Sequence, residues 1–201
     1  MPHAPRRTSR RYRGLSLKLE HAADGHAVGA PGTALLASWQ RLRGVPGGRW
    51  LFSRLVGRQA PYSGSIRAIV RELAPGHAVL TLADRRSVRN HLDSVHAVAL
   101  TNLGELASGL ALLVDLPAGS QGIVTGIEVE FAKKARGLLT ATGEASAPGL
   151  AELSAGEVER IARAEIEDSE HDKVAGVRVR WRIRRKDDHP AVTLPRDGPS
   201  G

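Results

Sequence analysis

At 201 residues, with 41% hydrophobic and 25% charged residues, the chain has the length and composition of one globular domain, which excludes wholesale disorder. Its longest strongly apolar stretch, near residues 106–116, is interrupted by Gly109 and Asp115 and is too short to span a bilayer. There is no cysteine, which excludes disulfides, thiolate zinc sites and cysteine nucleophiles. The N-terminus has no apolar run typical of a secretory signal. We therefore expect a cytoplasmic protein with no bound cofactor.

The net charge of +8 invites a nucleic-acid interpretation, but the charge is concentrated in a tail. The first 18 residues contain no acid and six basic residues, namely Arg6, Arg7, Arg10, Arg11, Arg13 and Lys18. Such a run is usually a solvated arm and less often a nucleic-acid or membrane contact. We expect residues 1–30 to be a disordered basic tail, and a nucleic-acid partner is disfavoured.

The first elements along the chain are two short helices followed by a hairpin. From Thr33, apolar residues recur at helical spacing, and a second helix follows through Trp50 and ends near Gly57 and Pro61. Apolar and polar residues then alternate over 65–73 and 77–82 on either side of a Pro-Gly turn. This pattern predicts helices within residues 31–60 and then two antiparallel strands.

Residues 94–114 are the longest helix candidate, with Ser94 as a plausible N-cap. An apolar stripe runs along one face through Leu103, Ala107 and Leu110. The segment also contains Gly104 and several other small residues, which are costly inside a helix unless another element packs closely against them. A sheet curling around the helix would be such a partner.

The remaining segments are mostly strand candidates, at 122–132, 137–145 and 173–186. Residues 153–164 read as a helix or an insertion before an additional strand at 164–168. Helices, a hairpin, one long helix and further strands together predict an α+β fold with an antiparallel sheet. One such sheet leaves a face or an edge exposed, which favours dimerisation. The expected organisation is a single domain at 31–186, with N-terminal helices at 31–60 and a core at 63–186, followed by a flexible tail at 187–201.

The chemically informative segment runs from Asn90 through His96 and Ala97 to Glu105. Backbone N–H groups in the first turn of a helix lack intrahelical partners and lie at the positive end of the dipole, so they can bind an oxyanion. Nine residues of helix separate His96 from Glu105, which is roughly 13 Å. Glu105 therefore cannot reach the same substrate atom within one chain, whereas a two-fold-related copy could supply it.

These residues resemble the motif of hotdog-fold thioesterases of the phenylacetate-pathway and small acyl-CoA thioesterase type. In that family five residues separate an Asn from His-Gly-Gly, and an acid follows nine residues after the His. This sequence gives Asn90, His96-Ala97-Val98 and Leu103-Gly104-Glu105. The sequence of residues 126–131 and 135–137 looks closest to that of an uncharacterised bacterial branch of this superfamily. Over residues 64–185 the resemblance implies a hotdog fold, with the sheet wrapped around one long central helix and extra N-terminal helices outside it.

The resemblance also implies residue roles. Asn90 would orient the thioester or water, the Ala97 N–H would bind the oxyanion beside His96, and Glu105 of the second subunit would be general base or nucleophile. Thr125 would help to position water. The substrate would lie against Val98, Asn102 and Ser94. Coenzyme A enters only as part of an acyl-thioester substrate, and the partner is a second copy of the chain, as a dimer or a dimer of dimers.

One departure from the motif leaves an alternative open. Val98 places a β-branched side chain where the family has a glycine, which narrows the pocket or marks a protein that binds acyl thioesters without cleaving them.

His91 lacks partners at zinc spacing, so we expect no metal site. The alternating arginines of residues 178–185 are read as the solvated face of a strand ahead of a contact with nucleic acid or with coenzyme A phosphates.

Overall fold

The structure is a computed structural model that describes residues 32–186. The basic N-terminal tail and the C-terminal tail from residue 187 lie outside these residues. The helices are α1 (Thr33–Leu42), α2 (Gly48–Gln59), α3 (Pro61–Ser65), α4 (Ala97–Leu113) and α5 (Leu150–Ser154). The strands are β1 (Ile69–Ala74), β2 (His77–Ala83), β3 (Ser120–Phe131), β4 (Leu138–Glu144), β5 (Val158–Glu167) and β6 (Lys173–Arg185).

All six strands form one antiparallel sheet in the order β1-β2-β4-β5-β6-β3, which confirms the predicted α+β class. The predicted hairpin is β1 and β2. The three strands predicted after the long helix are β3, β4 and β6, each within two residues of its predicted bounds. Because β3 pairs only with β6, it is an edge strand of the sheet.

The start of the first strand was predicted wrongly. Ser65 ends helix α3, and strand β1 begins only at Ile69. Between them Arg67 has φ of +50°, a left-handed conformation that interrupts an extended chain. Helix α2 ends at Gln59, between Gly57 and Pro61, as predicted. The Gly57 backbone lies against Gly64 of α3, which leaves no room for a side chain there.

The segment before β6 differs from the helix that was considered for 153–164. Only Leu150–Ser154 is helical, and β5 already begins at Val158 instead of 164. Ala162, Ala164 and Ile166 are buried at a spacing of two, which is the strand period, whereas Ile161 is 43% exposed. The apolar residues of 153–161 therefore do not form the single face that a helix would need.

Helix α4 lies on one face of the sheet, in contact with β2, β4, β5 and β6. Its small residues allow this close approach. A methyl group at Gly104 would collide with the side chain of Val177 in β6, and one at Gly143 in β4 would collide with the backbone of Ala107. The expectation that something packs closely against the small residues of this helix is confirmed. Between residues 32 and 186, no helix is long and apolar enough to cross a membrane.

Candidate functional site

Helix α4 begins at Ala97, with His96 and not Ser94 as its N-cap. His96 is extended (φ −65°, ψ 140°), and its Nδ1 accepts a 3.1 Å hydrogen bond from the Val98 N–H. The His96 carbonyl accepts from the N–H groups of Ala99 and Leu100. His96 therefore holds the first turn of the helix in place.

Ser94 was the expected N-cap because serine is among the best capping residues. Its side chain is instead buried, and its hydroxyl donates a 3.0 Å hydrogen bond to the Ala135 carbonyl. The Val95 N–H donates to the same carbonyl at 2.8 Å. Ser94 thus fastens the loop before α4 to the connection between β3 and β4, and its hydroxyl is committed there.

One backbone donor at the start of α4 remains unused. The N–H groups of Val98, Ala99 and Leu100 all donate to His96, whereas the Ala97 N–H donates to no residue among those described. Ala97 is exposed, so this donor faces solvent at the positive end of the helix dipole. It is the position at which the motif implies an oxyanion donor.

Asn90 shapes the loop that leads into α4. Its Oδ1 accepts hydrogen bonds from the N–H groups of Leu92 (2.9 Å) and Ser94 (3.3 Å), which is an Asx-type turn. The loop closes through the Asn90 N–H, which donates to the Ser94 carbonyl at 2.8 Å. The oxygen of the Asn90 amide is thus committed to the backbone, while its Nδ2 donates to no residue within 32–186.

Three of the predicted site residues line one cavity of about 410 Å³ at the start of α4. His96, Val98 and Asn102 form one wall, and Tyr62 of α3 and Val88 lie among the other lining residues. The Asn102 Nδ2 donates to the Tyr62 carbonyl at 3.2 Å, whereas its buried Oδ1 has no partner among the described residues. An unpaired buried acceptor is costly unless a ligand or water supplies a donor.

Glu105 lies two turns further along α4, half-buried, and this burial raises the pKa of its carboxyl. Gly109, one turn beyond, lets the Trp181 ring of β6 lie close to α4. A methyl group there would lie 3.2 Å from Trp181 Cζ2 and 3.7 Å from Glu105 Oε1. The Trp181 Nε1 is buried without a partner among the described residues. The carboxyl of Glu105 therefore lies near an indole ring in a partly desolvated position.

Thr125 lies in a β-bulge of the edge strand β3. Its exposed hydroxyl donates a long, 3.4 Å hydrogen bond to the Arg180 carbonyl. The preceding Val124 pairs with Trp181, so the bulge lies in the Trp181 region, toward Glu105. Within one chain the site residues thus form two groups, one with His96, Ala97 and Val98 at the start of α4 and the other with Glu105 beside Trp181. Asn102 lies between the two groups on α4, and Thr125 lies apart on β3.

The eight residues from Ala97 to Glu105 span roughly 12 Å of helix, so the two groups of one chain do not meet. The motif did not identify Tyr62 and Trp181, which complete the surroundings of the two groups. Trp181 alternates with Val177 and Val179 on the inner face of β6, a strand pattern that signals its position; for Tyr62 the sequence carries no such signal. No group of three or more potential metal ligands lies together within residues 32–186.

Comparison with known proteins gives a family and a fold. The family model described as a domain of unknown function (DUF4442) matches residues 48–183. No relative of curated function matches the chain. A structural-genomics target, APC5556, is 28% identical with a TM-score of 0.64, covering 76% of this chain and 99% of its own.

Two further solved structures carry thioesterase descriptions. The Pseudomonas aeruginosa protein PA5026, a protein of unknown function and probable thioesterase, is 21% identical with a TM-score of 0.60, covering 70% of this chain and 97% of its own. A hypothetical thioesterase of Streptococcus pneumoniae, crystallised with coenzyme A, is 18% identical with a TM-score of 0.53, covering 64% and 97%. The chain has the fold of these thioesterase-like hotdog proteins.

Proposed function

Because the chain belongs to the DUF4442 family and has the hotdog thioesterase-like fold, we propose that it is an acyl-CoA thioesterase that works as a homodimer. In this arrangement the sheet wraps around α4 as the central helix. The only coenzyme is the coenzyme A of the substrate, and we expect the enzyme in the cytoplasm. The coenzyme A in the Streptococcus pneumoniae structure supports this substrate class.

The observation that carries the proposal is the unused Ala97 N–H together with the half-buried carboxyl of Glu105. In the dimer, the partner's Glu105 faces the start of α4. It removes a proton from water, and the resulting hydroxide attacks the thioester carbon. The Ala97 N–H stabilises the oxyanion that forms. Collapse of this intermediate breaks the C–S bond and releases the carboxylic acid and the coenzyme A thiolate, which takes up the proton.

The other residues position the reactants. The Asn90 amide N–H, which has no partner within residues 32–186, orients the thioester, while the Thr125 hydroxyl helps to position water. Val98 and Asn102 contact the substrate in the cavity, and the unpaired Asn102 Oδ1 accepts from an amide N–H of the pantetheine arm. Ser94 supports the site from the loop. His96 fixes the helix start through Nδ1.

Hydrolysis of a panel of acyl-CoAs, followed by thiol release, tests the proposal, and the absence of cysteine removes protein background from that assay. We expect turnover with at least one acyl group. A second candidate, an acyl-thioester-binding protein without hydrolysis, is favoured by the exposed β-branched Val98 beside the Ala97 donor. Saturable acyl-CoA binding without thiol release would establish that candidate and reject the first.

The edge strand β3 supports a dimer. Its residues Ile127, Val129 and Phe131 pair with β6 residues on the α4 side of the sheet, yet Ile127 is 43% and Phe131 50% exposed. The strand is twelve residues long and leaves one backbone edge unpaired by the described residues. A long apolar edge of this kind is normally covered, because it otherwise promotes aggregation. We propose that β3 pairs with its copy.

Ile127→Lys is expected to break the dimer, because the lysine would place a charge at an apolar contact. Turnover should fall with the dimer, since each site needs both subunits. Ile161→Lys is the matched control, because Ile161 is also 43% exposed but lies on the other face of the sheet. Sedimentation velocity measures the association. If Ile127→Lys forms a dimer as tightly as the wild type does, the proposed β3 interface is refuted.

The pH dependence of turnover should report Glu105. Only the ionised carboxylate accepts a proton, so the rate falls as the pH drops through the pKa of this group. Burial raises that pKa, so the acidic limb of kcat/KM is expected above the ordinary glutamic acid value of about 4.3. An apparent pKa of the acidic limb at or below that value would contradict the proposal that Glu105 is the base.

A further inference from the structure

The segment that forms the N-terminal helices and the first half of β1 carries a single sign of charge. Residues 33–71 contain no Asp or Glu and seven arginines: Arg41, Arg43, Arg49, Arg54, Arg58, Arg67 and Arg71. This basicity is separate from the N-terminal tail. A one-sided charge over α1, α2, α3 and the start of β1 creates a local positive potential that attracts anions.

The arginines surround two adjoining cavities. One, of about 550 Å³, lies between α2, α3 and β1, and Arg54, Arg58 and Arg67 are among its lining residues. The other, of about 540 Å³, is lined in part by Arg43, Arg49 and Arg71. Both cavities include Trp50 and Ile69, so they lie next to each other, and together we call them the arginine groove.

The charges of this groove are not neutralised within the described residues. No described acid forms an ion pair with any of its six arginines. Trp50 is 59% exposed, and the Arg54 guanidinium lies 5.7 Å from its ring centroid. The groove thus combines several unpaired guanidinium groups with an exposed indole, a combination that suits an aromatic anion.

The arginines of β6 differ in this respect. Arg180 pairs with Glu128 at 3.6 Å, and Arg182 pairs with Glu157 at 3.1 Å. The cavity beside Arg178 is also lined by several glutamates. This outer face therefore carries both positive and negative charges. It attracts an anion less strongly than the arginine groove does.

The groove also adjoins the cavity at the start of α4. Ser65 of α3 lines both that cavity and the larger cavity of the groove. A substrate whose pantetheine arm lies in the cavity at the start of α4 can therefore extend into the groove at its other end. The cavity floor near Leu106 includes the buried Val56 and Val70, so the approach is apolar before it becomes basic.

We propose that the arginine groove binds the 3′-phospho-ADP end of coenzyme A, with its phosphates on the guanidinium groups and its adenine against Trp50. This inference rests on the proposed function for its substrate. The three phosphate groups carry roughly four negative charges at neutral pH, which matches several guanidinium groups better than a single carboxylate would. One guanidinium group can donate two parallel hydrogen bonds to two oxygens of one phosphate, and an adenine ring can stack on an indole ring.

Calorimetric titration with coenzyme A, dephospho-coenzyme A and pantetheine tests the groove. We expect coenzyme A to bind most tightly, dephospho-coenzyme A more weakly and pantetheine weakest, with coenzyme A affinity falling as salt is added. The double variant Arg54→Gln/Arg58→Gln should weaken coenzyme A binding by about tenfold or more and leave pantetheine binding unchanged. Trp50→Leu, which keeps all the charges, should weaken coenzyme A binding as well.

The control is Arg163→Gln/Arg178→Gln, which removes two positive charges from the outer face of the sheet, where these residues pair across β5 and β6. It should bind coenzyme A as the wild type does. Equal weakening by both double variants would overturn the proposal, as would unchanged binding in the groove variant. Hydrolysis of an acyl-pantetheine, which lacks the nucleotide, tests the thioesterase proposal separately. Its absence alongside groove-dependent coenzyme A binding would reject only the catalytic claim.

Discussion

Replacing Ala97 with proline is expected to lower kcat for thioester hydrolysis by about 10²–10³, the usual effect of losing one oxyanion donor. Proline removes the N–H at this position and nothing else that the helix needs. The first helical position is where proline is best tolerated, and the preceding His96 already has the extended conformation that proline requires. Steady-state kinetics on the preferred acyl-CoA measure the loss.

Ala97→Gly is the matched control, because it keeps the N–H while removing the methyl group. We expect it to retain kcat within a few-fold. Circular dichroism and the dimer mass should be the same for both variants and the wild type. Full activity in Ala97→Pro would mean that this N–H does not bind the oxyanion.

Glu105→Gln is expected to lower kcat by roughly 10²–10⁴, because the amide keeps the shape of the side chain but cannot accept the proton. The folded state should be at least as stable, since burial already disfavours the carboxylate form of Glu105. Single-turnover kinetics with a saturating enzyme concentration separate this chemical loss from weaker binding.

Glu128→Gln is the control for Glu105→Gln, because Glu128 lies on the outer face of β3, next to Arg180. Its turnover should match the wild type. Unchanged turnover in Glu105→Gln, with the dimer intact, would remove Glu105 from the mechanism.

The sequence predicted the strands well where burial alternates along the chain. The predictions of element boundaries failed where a contact with a residue distant in sequence, or an unusual backbone conformation, sets the boundary. Ser94 looked like the helix N-cap, but its hydroxyl is taken by Ala135, 41 residues away, and His96 caps the helix instead. The start of β1 depends on the positive φ of Arg67, which its residue type does not signal.

The candidate site was only partly accessible to sequence reasoning. The spacing of Asn90, Ala97 and Glu105 predicted a site at the start of α4 with the Glu105 carboxyl of a second subunit. It could not show that the Asn90 oxygen is used within its own loop, because that depends on the turn geometry. The arginine groove was missed because it forms only when α2, α3 and β1 come together, although the absence of acids over residues 33–71 was visible.

The central claim is that each site takes Ala97 from one subunit and Glu105 from the other. Mixing the inactive variants Ala97→Pro and Glu105→Gln, after dissociation and reassociation of the dimers, tests it most directly. In a mixed dimer one site combines the intact Ala97 with the intact Glu105, and the other site carries both changes. Random mixing should restore about a quarter of the wild-type activity. No recovery, despite mixed dimers shown by native mass spectrometry, would place both residues of each site in one subunit and contradict the claim.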